Sequence, residues 1–126
     1  MGLFFGKKKT PLDIPRGDVE LTVYTYNGKP FGRLKPKVPI TLEVVGRVVT
    51  MTSIYTGTKW QGEGALSYRG QIIGYVTDGP TLDELMRLRK AHSKVTVSAI
   101  IKRKPVGSWP YVVIRVPHLS ELRRMV

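Results

Sequence analysis

From Val19 the chain alternates, with Val19, Leu21 and Val23 apolar and Glu20, Thr22 and Tyr24 polar or amphipathic between them. A period of two predicts a half-buried strand, and Asn27-Gly28 after it is a hairpin turn signal leading back through a strand from Phe31 to Leu34. Lys35-Pro36-Lys37-Val38-Pro39 interrupts the ladder, because proline fixes φ and removes a backbone donor. Ile40, Leu42 and Val44 share a face of the next strand, and Gly46 within Val44–Val49 predicts a bend or a close backbone approach. The stretch Tyr55 to Gly64 carries Gly57, Gly62 and Gly64 around Lys59-Trp60, which predicts a loop. Ala65–Arg69 and Gln71–Val76 predict a second hairpin about Arg69-Gly70.

A helix follows. Thr81-Leu82-Asp83-Glu84 fits a capping box, in which the Thr81 side chain accepts from the Glu84 amide and the Glu84 carboxylate reaches back to the Thr81 amide. Leu82, Leu85, Met86 and Leu88 make its apolar stripe, and Arg87, Arg89, Lys90 and Lys94 gather where the helix dipole favours cations. Val95, Val97, Ala99 and Ile101 alternate as a strand, Lys102 to Gly107 reads as a basic turn, Tyr111–Val116 as the returning strand, and His118–Val126 as a short C-terminal helix. About seven short strands and one main helix predict a mainly β (α+β) fold, a small, partly open OB-like barrel, since closure removes exposed strand edges. Residues 1–18 lack periodicity and read as a basic N-terminal arm, with 19–126 as a single β-barrel domain.

Composition narrows the function classes. The chain has 126 residues and 21 Lys and Arg against 9 Asp and Glu, a net charge of +12. It is long enough for one core and too apolar for wholesale disorder. With no cysteine, disulfides, thiolate metal sites and cysteine nucleophiles are excluded, which favours a reducing, cytoplasmic setting. His92 and His118 alone do not make a histidine zinc site. Neither a phosphate loop nor a dinucleotide fingerprint occurs, and the scattered carboxylates do not pair for acid–base work, so no cofactor, metal or catalytic residue is expected. No apolar run reaches the ~18 residues of a membrane span. Met1 to Lys9 has no long apolar region of the kind a signal peptide needs.

What remains is charge interleaved with rings. Nucleic-acid binding needs cations for phosphates and, for unpaired strands, aromatic faces for bases. Tyr55, Lys59, Trp60, Tyr68, Arg69 and Tyr75 fall within one loop and hairpin, and Lys102, Arg103 and Lys104 form a basic run. Trp60 and Tyr75 serve equally as core or turn aromatics, and a charge run is commonly just solvated. The net charge weighs against that reading, because unbalanced charge repels itself until an anionic partner offsets it.

Val44-Val45-Gly46-Arg47, then Gly64-Ala65-Leu66, then Ile72-Ile73-Gly74-Tyr75-Val76, followed by a helix and a strand pair, give the region of about 40–116 its order. In that order and pattern it resembles a HIRAN domain, a modified OB-like barrel of DNA-processing proteins. Tyr55 to Glu63 stands where that family has an Asn-Pro-Tyr-Asp motif. The resemblance implies a site for single-stranded DNA or DNA ends, with Arg47 and Tyr75 as the positions carried over. The expected function is therefore non-enzymatic binding of single-stranded DNA or DNA ends in a basic aromatic groove. The alternative is a protein-interaction or assembly domain of phage or mobile-element origin.

Overall fold

The computed structural model describes residues 9–25, 38–46, 49–52, 56–62, 65–102 and 111–126. Among them ten strands and two helices follow in the order β1 (Pro11–Asp13), β2 (Val19–Thr22), β3 (Tyr24–Thr25), β4 (Pro39–Val45), β5 (Val49–Thr52), β6 (Lys59–Gly62), β7 (Ala65–Tyr68), β8 (Gln71–Tyr75), α1 (Gly79–Ala91), β9 (Lys94–Lys102), β10 (Tyr111–Val116) and α2 (Leu119–Arg124). The architecture is mainly β, a curled half-barrel with two helices, as the strand spacing predicted.

The main sheet runs β2-β10-β9-β4-β7-β8-β3, and its two outermost strands are consecutive in the chain, separated by Val23 alone. Val23 donates its amide to the Val112 carbonyl at 2.9 Å, so the sheet curls until one stretch of chain serves both edges. β2 pairs β10 over four positions, Val19 opposite Val116 to Thr22 opposite Val113. β3 pairs β8 over two, Tyr24 opposite Tyr75 and Thr25 opposite Gly74. That short second ladder leaves the barrel partly open.

Alternation sorts the side chains. Leu42 and Val44 of β4, Val95, Val97, Ala99 and Ile101 of β9, and Val112, Ile114 and Val116 of β10 are buried in one cluster with Val23, Leu66 and Ile73. Leu85 and Leu88 from α1 and Leu122 from α2 complete it. Burying a leucine stabilises by about 1.5–3 kcal/mol, so this apolar contact outweighs the charges of α1 in holding the helix down. Because every pairing around the circuit is antiparallel, the β3, β7 and β9 ends lie at one end of the barrel and the β4, β8 and β10 ends at the other. The β7–β8 turn is therefore at the first end, and both helices and the β5–β6 hairpin leave from the second.

Several local expectations are corrected. Residues 11–14 are not an arm: β1 pairs β9 in parallel, Leu12 opposite Val95, and Ile14 is buried in the core, so apolar burial draws the segment in. Gly46 does not merely bend a strand, since β4 stops at Val45 and β5 belongs to a separate two-stranded sheet. The stretch read as a loop holds strand β6, paired to β5 with Met51 opposite Trp60, and the β-branched Val49, Thr50 and Thr52 favour that extended pairing. The expected Asn27-Gly28 hairpin, the strand to Leu34 and the turn beyond Lys102 lie outside the described residues. Arg69 (φ 50°) and Gly70 (φ 83°) make the predicted two-residue turn, with both central residues in the left-handed region.

The helix is capped three residues before the expected position. Asp78 is the N-cap, its Oδ2 accepting the Thr81 amide at 3.0 Å, with Pro80 inside the first turn where no amide is needed. Glu84 pairs with Arg87 at 2.9 Å instead of reaching back. Hydrogen bonding from the Thr81 hydroxyl and amide holds the Asp78 carboxyl below its ordinary value. A depressed carboxylate contributes stability above its unfolded value and loses it as pH falls through the folded one. Asp78→Ala should therefore cost about 1 kcal/mol near neutral pH. That cost should shrink in acid below both values, to what a neutral carboxyl still contributes as an acceptor, as checked by thermal unfolding of the two proteins across pH.

Candidate functional site

The outward-facing side chains of β4, β7 and β8 form the floor of a shallow groove of about 440 Å³, lined by Glu43, Val45, Gly46, Ser67, Gly70, Ile72 and Arg89. Register sets the floor: Ser67 stands opposite both Glu43 and Ile72, and the next outward pair along the strands is Val45 with the buried Ala65. The groove runs from the β7–β8 turn at Gly70 to Gly46, where β4 ends.

Arg89 walls the second end. It comes from the last turns of α1, donates Nη1 to the His92 carbonyl at 2.9 Å, and passes over Gly46 so closely that a Cβ there would collide with its Cγ. The glycine is thus needed for close approach, as the sequence suggested, although the approaching group is a protein side chain. Arg89 Nε is buried and meets no hydrogen-bond acceptor among the described residues. Lys94, at the start of β9, lies 3.9 Å from Glu43, an ion pair too long for a hydrogen bond.

Beyond Ala65 on the same face stands Tyr75, directly opposite Ala65 in the β7–β8 ladder. Its ring meets Tyr24 of β3 with centroids 5.1 Å apart and planes tilted by 34°. Tyr75 is half-buried and outside the core, which rules out the core-filling alternative, and Tyr24 is 47% exposed. Val23 points into the core, so its neighbour Tyr24 must point out, and barrel closure brings the two rings together.

The other sequence-predicted residues do not all converge here. Arg69 stacks over the Tyr68 ring at 5.3 Å in the turn at the groove's first end, but Tyr68 packs against the core, on the opposite face from Tyr75. Lys59 is exposed on β6 in the separate hairpin. Lys102 binds Glu20 at 3.1 Å, and Arg115 reaches the other Glu20 oxygen at 3.1 Å. These partners, the Lys102 hydrogen bond foremost, hold the Glu20 carboxyl below its ordinary value. Arg47, Tyr55, Arg103 and Lys104 lie outside the described residues, as does the side chain of Trp60. Sequence reasoning missed Tyr24, Glu43, Arg89 and Lys94. The outward phase of Tyr24 in its strand was readable, whereas Arg89 was absorbed into an ordinary basic helix end.

Among the described residues no three histidine, aspartate or glutamate side chains gather to hold a metal ion, and no helix is long and apolar enough to cross a membrane. The chain matches no protein-family model, no curated protein and no solved structure.

The Arg89–Gly46 contact is testable by a double-mutant cycle. Gly46→Ala alone should cost about 1–3 kcal/mol, as overpacking does. In an Arg89→Ala background the cost should fall by at least about 0.5 kcal/mol, the coupling typical of touching residues. Equal costs in both backgrounds, measured by denaturant unfolding, would place the glycine requirement elsewhere.

Proposed function

We propose that this protein is a non-enzymatic nucleic-acid-binding module that holds single-stranded DNA along the outer face of β4, β7 and β8. The supporting observation is the Tyr24–Tyr75 pair, with ring centroids 5.1 Å apart, standing on the same face as a groove walled by Arg89. Bases stack on the exposed Tyr24, and Arg89 and Lys94 supply the cations for phosphates.

Charge placement supports this reading. The strand ends that flank segments 26–37 and 103–110 lie at the first end of the barrel, beside Arg69. In sequence those two segments carry Lys29, Arg33, Lys35, Lys37, Arg103 and Lys104 and no acid. The second end presents Lys90, Arg123 and Arg124 on the helices. A strand lying in the groove would run from the β7–β8 turn to the helix cations at the second end, with Glu43, among the described residues, as the carboxylate on its floor. The second reading, assembly with another protein, draws on the β5–β6 hairpin, a two-stranded sheet outside the main one, whose edges suit strand addition.

Fluorescence anisotropy with labelled oligonucleotides tests the proposal. Affinity for single strands should fall with salt, and Arg89→Ala should flatten the log–log slope by about 0.7 for one lost phosphate contact. Tyr24→Ala, which removes the exposed ring, should cost about 1–3 kcal/mol with the slope unchanged. Weak binding that ignores salt, together with a polypeptide that co-purifies free of nucleic acid, would transfer the case to the second reading.

A further inference from the structure

Glu43 is out of place on a phosphate-binding floor. Its carboxylate sits in the groove with Ser67 beside it and Arg89 beyond, and among the described residues it receives no hydrogen bond. Asp13, two strands away in the same cross-strand row, makes the contrast: it accepts the Thr96 hydroxyl. Lys94 at 3.9 Å offsets part of the Glu43 charge without occupying its oxygens. A group that only accepts hydrogen bonds, is half-exposed and faces a groove repels a phosphate and favours a ligand that presents N–H donors.

Resting on the single-strand reading, we propose that Glu43 is a base-selecting residue, favouring unpaired guanine through its adjacent N1–H and N2–H donors. Unpaired bases offer their Watson–Crick edges to side chains, and two neighbouring donors match the two oxygens of a carboxylate. Cytosine and adenine each present one amino group on that edge, and thymine a single ring N–H between two carbonyl oxygens that the carboxylate repels. The order of preference follows: guanine, then cytosine and adenine, then thymine. Arg89 lines the same groove and can receive a phosphate of the same strand, so a bound strand meets an acceptor on the floor and a cation at the second end.

The test uses the whole protein and an oligothymidine carrying one central guanine, cytosine, adenine or thymine, read by anisotropy at one fixed salt concentration. The guanine-bearing strand should bind about tenfold or more tightly than the all-thymine strand, as expected for a good bidentate contact. Glu43→Gln, whose amide offers one donor and one acceptor, should remove most of that difference and leave binding of the all-thymine strand equal or stronger. Glu43→Asp keeps the charge but shortens the reach, and should also weaken the preference. Thermal unfolding of both variants checks the fold. Tight, salt-sensitive binding with no preference, or a preference that survives Glu43→Gln in folded protein, overturns the selector while leaving the single-strand reading standing. No salt-sensitive binding of any strand overturns the single-strand reading and the selector with it.

Discussion

One stretch of chain, residues 19–25, has to satisfy both edges of a curled sheet, and the rest of the structure depends on how it does so. β2 hydrogen-bonds to β10, β3 to β8, and Val23 carries the chain across the seam with its own amide on Val112. The side-chain alternation passes through the seam unbroken, so Val19, Leu21 and Val23 stay inside while Glu20, Thr22 and Tyr24 stay outside. The core is thereby lined from both sides of the seam, by Val23 and by the inward faces of β4, β9 and β10, while the two-position β3–β8 ladder leaves the barrel partly open. Tyr24 reaches Tyr75 only because these two strands become neighbours at closure.

The closed circuit also separates two kinds of work. At the second end α1 and α2 cover the core with Leu85, Leu88 and Leu122, and Arg87 clips the helices together by donating to the Leu122 and Met125 carbonyls at 2.8 and 2.9 Å. The outer face of β4, β7 and β8 contributes nothing to that apolar contact and carries the groove lined by Glu43, Val45, Ser67 and Ile72. Arg89 belongs to both regions: its helix is fixed by burial, and its side chain, laid over Gly46, ends in the groove. A basic helix end thus becomes part of a surface that can meet an anion.

How much of this was legible in the sequence depends on the range of the cause. β4, β9 and β10 were readable because their periods of two are local and their inward faces strongly apolar. The β7–β8 hairpin was readable because Arg69-Gly70 is a local turn signal. The helix start was misplaced because two acceptable caps compete within three residues, and Asp78, preceding a proline-bearing first turn, is the one used. β6 was hidden because Gly62 within it and Gly57 and Gly64 around it argue against a strand unless β5 is already present to pair with it. The seam at Val23 was beyond reach, since a strand that changes partner mid-course looks like any other strand. The groove shared that fate: Glu43, Ser67 and Arg89 are distant in sequence and meet only through register and helix docking.

Closure depends on residues 19–25 staying paired, and native-state hydrogen exchange of the Val23 amide measures the β10 side of that seam. If the seam holds the sheet together, Val23 exchanges only through the cooperative opening that exposes the central amides of β9, with an opening free energy within about 1 kcal/mol of theirs. A Val23 amide that exchanges at the rate of a free peptide while β9 stays protected would show the chain detached from β10 there and the seam broken.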